Sequence, residues 1–328
     1  MSEGRDTANG SEEEPALVFG PVPSRRLGRS LGINNIPPKT CSYACVYCQL
    51  GRTTQFEIER RPFRDPNAIA GAVAARIGAS VERGESIDAL TFVPDGEPTL
   101  DARLGESIRR LKDSGKRVAV ITNGSLLFLP DVREALADAD WVSIKVDAAT
   151  EATWRRVNRP DRRLSFGAVR DGLRAFAQAF DGVLATETML IEGLNDADEE
   201  IEQIAALVAG FGPDIAYLTA PVRPPAEAWV RVPKPERWVA AYAAFRDRVG
   251  CVETLTADEE GGFALSGVAA ESLLEITAVH PMRREAVEEL LGKAGEEWSV
   301  VEDLVSAGRL VELTHRGHTY YLRRLPGS

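Results

Sequence analysis

Between residues 65 and 255 the chain alternates between helix-like and strand-like patterns, and few folds accept such an order. Asn67–Arg83 carries Ile69, Val73, Ile77 and Val81 four apart, an amphipathic helix stripe. Asp88–Val93 reads as a short buried strand. Asp101–Ser114 reads as a helix closed by Gly115. Arg117–Thr122 is a strand, Asp131–Ala137 a helix and Trp141–Val146 a strand. Ser165 can cap a helix bearing Val169, Leu173, Phe176 and Phe180. Leu184–Ile191 and Asp214–Thr219 are strands, with helices expected over Asp198–Phe211 and Glu236–Val249. Glu199 and Glu200 sit in the first turn of the former, where the helix dipole favours acids. With residues 31–36 as a first strand, strand and helix alternate six times. Such alternation implies parallel strands joined by right-handed crossovers: an α/β fold, either an open or closed barrel or a doubly wound sheet.

The pattern changes at both ends. Residues 1–15 are polar and acidic and are expected to be a disordered tail. Residues 256–265 are acidic and Gly-rich, a linker by composition. Residues 266–328 carry three short amphipathic segments, about 267–278, 283–291 and 299–307. Two β-like runs follow, Leu310–Thr314 and Thr319–Arg323, separated by His315-Arg316-Gly317-His318. Three helices and then a hairpin is the order of a winged helix. The apolar share of 44% in 328 residues is enough for a sizeable core. No apolar run approaches the ~20 residues that span a bilayer, and no signal-peptide core is present. The expectation is a cytoplasmic protein with no membrane partner.

Three of the four cysteines fall within eight residues, in Thr40-Cys41-Ser42-Tyr43-Ala44-Cys45-Val46-Tyr47-Cys48. Thiolates spaced by four and three can serve one metal centre and leave a coordination position open, as a catalytic iron–sulfur cluster or a catalytic zinc requires. Three chance buried cysteines would seldom crowd in this way. Cys251 lies far off in the last α/β unit and reads as an ordinary buried cysteine. The three histidines, His280, His315 and His318, all fall in the C-terminal segment, so none is a natural fourth ligand.

The spacing C-x-x-x-C-x-Φ-C, with Tyr47 as the aromatic, resembles the signature of the radical S-adenosylmethionine (SAM) superfamily. The resemblance covers roughly residues 18–255. The stretch VPSRRLGRSLGINNIPPKTCSYACVYCQLGRT is most similar to the group that includes the tRNA wyosine-forming synthases. It implies a partial (βα)6 barrel over residues 16–255, and a [4Fe–4S] cluster with three irons held by Cys41, Cys45 and Cys48. The fourth iron would take the amino and carboxylate groups of SAM. One electron from a flavodoxin- or ferredoxin-type protein would then cleave SAM to methionine and a 5′-deoxyadenosyl radical, which abstracts hydrogen from the substrate. The wyosine synthases carry a second cluster on additional cysteines. No second triad exists here, which speaks against wyosine formation itself and leaves another RNA modification open.

A barrel places its site at the carboxyl ends of its strands. After strand two comes Pro94-Asp95-Gly96-Glu97-Pro98-Thr99, the position of the family's SAM-amino motif, carried here as Asp95, Gly96 and Glu97. A turn would also favour Asp, Gly and Pro. Strand three ends at Asn123-Gly124, where the resemblance makes Asn123 a SAM contact. Ser143, Lys145 and Asp147 alternate along strand four and share a face. Lys145 and Asp147 can pair with one another; alternatively, the resemblance offers SAM's carboxylate to Lys145 and Ser143. Ile191, Gly193 and Asn195 follow strand five, where the family places adenine.

The substrate is less legible. From Pro21 to Arg64 there are eight Lys/Arg and two Glu, a local +6 in a chain of net charge −11. Further arginines follow strand four (Arg155, Arg156, Arg159, Arg162, Arg163), and Arg223 lies in a Pro-rich loop after strand six. Basic residues gathered around a mouth suggest a nucleic acid; surface ion pairs are the commoner fate of such runs. The segment from residue 262 onward has seven Lys/Arg against ten Asp/Glu, which is unlike a nucleic-acid-reading wing. Three readings follow: radical SAM chemistry on RNA, the same chemistry on a peptide, protein or small metabolite, and a non-catalytic cluster- or zinc-holding redox sensor with a DNA-binding winged helix.

Overall fold

The computed structural model describes residues 16–255, 269–279, 281–315 and 317–324. The expected tail over 1–15, the linker over 256–265, His280 and Arg316 lie outside them. An antiparallel hairpin, Val18–Ser24 (β1) and Gly28–Ile33 (β2), comes first. Two two-residue strands, Thr40–Cys41 (β3) and Gln55–Phe56 (β4), pair in parallel and frame the cysteine loop. The repeating part then runs Pro66–Glu82 (α1), Ala89–Phe92 (β5), Leu104–Lys112 (α2), Arg117–Thr122 (β6), Pro130–Leu136 (α3) and Trp141–Lys145 (β7). It continues with Glu151–Val157 (α4), Phe166–Ala179 (α5), Val183–Met189 (β8), Asp198–Ala209 (α6), Ile215–Thr219 (β9), Pro235–Arg246 (α7) and Val252–Leu255 (β10).

The cap expected at Ser165 operates, and Asp65 supplies another. Asp65 Oδ1 accepts from Asn67 N at 3.2 Å ahead of Pro66, and Ser165 Oγ accepts from Ala168 N at 3.5 Å. Gly172 sits on α5 where a Cβ would lie 2.3 Å from Phe128 N, so only glycine lets this helix approach the loop before α3 so closely.

The main sheet has the order β1-β2-β5-β6-β7-β8-β9-β10. From β2 to β10 every neighbour is parallel; only β1 is antiparallel. The sheet is a curled, open half-barrel of eight strands rather than the six-stranded one expected. Two strands escaped the reading: β1 lies outside the strand–helix alternation, and β10 is too short to carry a pattern. Helix α4 was missed because its seven residues, about two turns, offer too few apolar positions for a period.

The strands have two buried faces. Leu90, Phe92, Val118, Val120, Val142, Ile144, Leu184 and Leu218 pack outward against the helices. Inward, Ala89, Ala119, Trp141, Ala185, Tyr217 and Leu255 gather around Leu27, which enters from the β1–β2 turn. That turn lies at the amino end of β2, so Leu27 plugs the barrel floor and leaves the carboxyl ends of the strands open as the mouth.

The C-terminal residues form Ala269–Val279 (α8), Met282–Arg283 (β11), Arg284–Ala294 (α9), Ser299–Ser306 (α10), Leu310–His315 (β12) and His318–Arg323 (β13), with sheet order β11-β13-β12. Leu273, Val287, Leu291, Val301, Leu304 and Tyr321 make a separate small core. Tyr320 and Leu322 join the main core instead, so the hairpin is packed against the barrel's last helical layer. Among the described residues no helix is long and apolar enough to cross a membrane.

Candidate functional site at the mouth of the half-barrel

The cysteine loop is tied to the strand ends by main-chain bonds. Lys39 N donates to Asp95 O at 2.6 Å, and Glu97 N donates to Thr40 O at 3.1 Å. On the other side Ala44 N donates to Asn158 O at 3.1 Å and Val46 N to Val157 O at 2.9 Å. The loop therefore spans from the end of β5 to the end of α4. Gly96 makes the first crossing possible: a Cβ there would stand 1.9 Å from Thr40 O. Its φ lies outside the left-handed region, so space and not conformation demands glycine.

All three thiols are half-buried. Cys41 Sγ accepts from Tyr43 N at 3.5 Å and from Asn123 Nδ2 at 3.6 Å; Cys45 Sγ accepts from Asn158 Nδ2 at 3.5 Å. Burial, helped by Asp147, pushes the Cys45 thiol up to about 12, and burial with Glu97 raises Cys41 further. These sulfurs stay protonated unless a cationic centre displaces the protons. Among the described residues no three His, Cys, Asp or Glu side chains stand close enough to share one metal ion. In a four-iron cube each of the three thiolates would take its own iron, and the N–H donors to Cys41 and Cys45 would support the sulfurs.

Each further residue singled out in the sequence has a definite place. Tyr47 is buried, and its hydroxyl donates to Asp147 Oδ2. Asp147 Oδ2 also accepts from Asn158 Nδ2 at 2.7 Å, and Oδ1 accepts from Met189 N at 2.8 Å. Burial raises the Asp147 pKa while Lys145 and these donors pull it back. Asp147 thus fastens the cysteine loop to β8. Asp95 is half-buried and contributes its carbonyl. Glu97 is 1% exposed. Its Oε1 accepts from Thr99 N (3.0 Å), Thr99 Oγ1 (2.6 Å) and Thr122 Oγ1 (2.6 Å), and its Oε2 from Asn123 N (2.7 Å). It welds the end of β5 to the end of β6. Asn123 Nδ2 also donates to Ser42 Oγ at 2.9 Å.

Lys145 does not pair with Asp147. Its ammonium binds Glu187 Oε1 on the neighbouring strand, while Arg26 NH2 lies 2.7 Å from Glu187 Oε2. The reason is register: Lys145 and Glu187 are directly opposite on β7 and β8, whereas Asp147 lies past the strand end. Ser143 is 1% exposed and its hydroxyl has no partner. Ile191 packs with Val46, Tyr47, Val157 and Val230 beneath the loop. Asn195 Nδ2 donates to Asp147 O at 2.9 Å and to Met189 O at 2.8 Å, while Ile191 N donates to Asn195 Oδ1 at 2.8 Å. Gly193, at φ 70°, turns this segment.

Of the arginines expected around the mouth, Arg155, Arg156, Arg159 and Arg223 all have internal partners. Arg155 pairs with Glu151 along α4, Arg156 donates to Gly193 O at 3.3 Å, and Arg223 NH1 donates to Gln49 Oε1 at 3.1 Å. Arg159 NH1 lies 2.6 Å from Glu227 Oε1, and Arg52 NH2 lies 3.2 Å from Glu227 Oε2. Glu227 N also donates to Val46 O at 3.1 Å. Glu227 therefore clasps the Pro-rich loop over the cysteine loop. It escaped the reading, as did Asn158, Arg26 and Glu187, because each acts through a partner on a distant segment. Cys251 stands away from this site, half-buried just before β10.

The family model described as Radical SAM superfamily matches residues 35–208. A relative described as UPF0026 protein MJ1312, from Methanocaldococcus jannaschii, is 42% identical over 94% of this chain and 96% of its own length. Among solved structures, a radical SAM methyltransferase from Sphaerobacter thermophilus aligns over 69% of this chain and 65% of its own, with TM-score 0.52 and 19% identity. TYW1 with a lysine-pyruvate adduct bound aligns over 71% and 78%, with TM-score 0.51 and 16% identity. At those identities the two structures speak for the fold. The chain belongs to the radical SAM superfamily, whose enzymes use a [4Fe–4S] cluster and S-adenosylmethionine.

Proposed function

We propose that Cys41, Cys45 and Cys48 hold the cluster, and that the enzyme acts on RNA, as a tRNA-modifying catalyst. When bound, the cluster and SAM supply a 5′-deoxyadenosyl radical; the residues of this chain orient the cofactors and exclude water. Asn123 and Asn158 steady two of the sulfurs. Tyr47, anchored by Asp147, sets the height of the loop over the barrel. The backbone around Asp95 and Gly96, crossing Thr40, supplies the SAM amino contact, with Glu97 fixing its shape. Ile191, Gly193 and Asn195 form the adenine side. The C-terminal elements follow winged-helix order and serve as a substrate or protein contact. The domains run over 16–255 and 266–328. The electron arrives from a flavodoxin- or ferredoxin-type protein, and the reaction is cytoplasmic.

The observation that carries the RNA reading is the rim of the mouth. Trp229 (48% exposed) lies two residues from Glu227, which binds Arg52 and Arg159, and Phe56 (46% exposed) lies four residues along the chain from Arg52. Trp229 is held outward between Glu227 and Val230, both buried. Exposed aromatics beside guanidinium groups suit unstacked bases and a phosphate backbone. A second reading, a peptide, protein or small metabolite as substrate, is favoured by the arginines' internal partners and the net charge of −11. The third, a redox sensor, gains nothing from the acidic C-terminal segment.

The test is anaerobic turnover with total cellular RNA, with the same RNA after nuclease digestion, and with a peptide pool. RNA-dependent stimulation of SAM cleavage and a mass change in an RNA nucleoside are expected. Equal turnover with digested RNA, or stimulation only by peptides, refutes the RNA reading.

A further inference from the structure

Helix α4 ends on an unusual residue. Asn158 closes it, and Arg159 follows at φ 44°, in the left-handed region, immediately before Pro160. Glycine ordinarily takes that place after a helix, and a residue before proline is pushed toward extended backbone. Glycine would hold this turn without strain. Arginine supplies what glycine cannot, a guanidinium.

The turn and the guanidinium serve different partners. The backbone of the turn runs beside the cysteine loop. Asn158 O and Arg159 O both accept from Ala44 N, at 3.1 and 3.2 Å, Tyr43 pairs with Pro160 in an antiparallel bridge, and Asp161 N donates to Ser42 O at 2.9 Å. From this stretch Asn158 Nδ2 reaches Cys45 Sγ at 3.5 Å and Asp147 Oδ2 at 2.7 Å. The Arg159 guanidinium goes instead to Glu227, with NH1 2.6 Å from Oε1. Glu227 belongs to the Pro-rich loop between β9 and α7, which rests on the cysteine loop through Glu227 N on Val46 O and through Val230. Arg52, four residues past Cys48, holds the other carboxylate oxygen at 3.2 Å. A strained turn thus carries a tie to the Pro-rich loop on one residue and a donor to a sulfur on the residue before it.

We infer that Arg159 is a positioning residue that makes Asn158's hold on Cys45 depend on the Pro-rich loop. With Glu227 seated on its guanidinium, the left-handed turn is maintained and Asn158 Nδ2 donates to the sulfur. When Glu227 leaves, the turn relaxes and the donor is withdrawn. The inference rests on Cys45 as a cluster ligand. An N–H aimed at a ligand sulfur favours the reduced cluster, so a closed Pro-rich loop makes electron uptake easier. A substrate that holds this loop down admits the electron, and an idle enzyme with the loop open resists it. The coupling holds for any substrate that seats the loop, RNA or not.

The test is the midpoint potential of the reconstituted protein, without SAM, after its iron and sulfide content has been measured. Glu227→Gln and Arg159→Met should both shift the potential to more negative values. A direct field effect would move them apart, because the first removes a negative charge and the second a positive one. Arg159→Gly lacks the guanidinium but holds the left-handed turn without strain, and should recover most of the shift. On an Asn158→Ala background, Glu227→Gln should add nothing. Arg109→Gln, which breaks an exposed pair with Asp138, should leave the potential unchanged. Three results overturn the inference while the cluster assignment stands: opposite shifts for Glu227→Gln and Arg159→Met, Arg159→Gly as negative as Arg159→Met, or additive shifts with Asn158→Ala. A wild-type chain that assembles no cluster overturns the assignment, and the inference with it.

Discussion

Replacing Gly96 with alanine adds one methyl group at the crossing that holds the cysteine loop to β5. The new Cβ would stand 1.9 Å from Thr40 O and 2.8 Å from Ile36 Cδ1. The isoleucine methyl can rotate aside; the carbonyl cannot, because it accepts from Glu97 N at 3.1 Å and belongs to the strand that carries Cys41. Ordinary contact begins near 3.4 Å, so Thr40 must retreat by about 1.5 Å, and Cys41 moves with it. Overpacking of this kind costs about 1–3 kcal/mol. At roughly 2 °C per kcal/mol for a domain of this size, the melting temperature of the metal-free protein should fall by about 2–6 °C. The functional effect should be larger, because a thiol displaced by more than about 0.5 Å no longer meets its iron in productive geometry. Iron and sulfide content after anaerobic reconstitution, read beside a thermal melt, measures both effects. Full cluster content with an unchanged melt would refute the view that this contact positions the loop.

Four further outcomes follow from the same structure. Gly71→Ala and Gly78→Ala lie inside α1 with nothing within 4 Å of the new methyl, so each should stabilise the protein by about 0.5–1 kcal/mol in chemical denaturation. Cys41→Ala, Cys45→Ala and Cys48→Ala should each lose the cluster, whereas Cys251→Ala should keep it; iron loss in the last would overturn the ligand assignment. Asn158→Ala removes the donor to Cys45 Sγ and to Asp147, and should cost about 1–3 kcal/mol and shift the cluster's midpoint potential in a redox titration. Glu187 is buried, yet Arg26 and Lys145 hold its carboxyl down to about 2, below the usual 4.5. A depressed carboxyl gives stability that is complete above pH 4.5 and is lost as pH falls toward 2. Glu187→Gln should therefore cost about 3 kcal/mol at neutral pH and flatten the stability profile of the metal-free protein across that window.

The parallel sheet was legible because its strands are buried on both faces and its helices carry a 3.6-residue stripe. β6 has the bounds expected, Arg117–Thr122. What escaped was structure whose reason lies elsewhere in the chain. β1 exists because Gly28–Ile33 needs an edge partner, and α4 because Tyr43 requires Trp154, whose indole donates to the Tyr43 hydroxyl at 3.0 Å. The cysteine triad announced itself through local spacing. Its supports did not: Asn158 is 113 residues from Cys45, and Glu227 is 175 residues from Arg52. Lys145 was visible as an inward-facing cation, but Glu187 as its partner depended on the β7–β8 register, which no local pattern encodes. The arginine runs were legible as charge and illegible as contacts, since Glu151, Gly193 O, Glu227 and Gln49 decide what Arg155, Arg156, Arg159 and Arg223 face.

The central claim is that Cys41, Cys45 and Cys48 make this half-barrel a SAM-cleaving enzyme. The direct measurement is anaerobic: reconstitute with iron and sulfide, reduce, add SAM, and quantify 5′-deoxyadenosine by mass spectrometry. The account predicts its formation by the intact protein and by Cys251→Ala, and none by any of the three loop variants. A verified cluster that neither binds nor cleaves SAM, with RNA and peptide pools present, would contradict it.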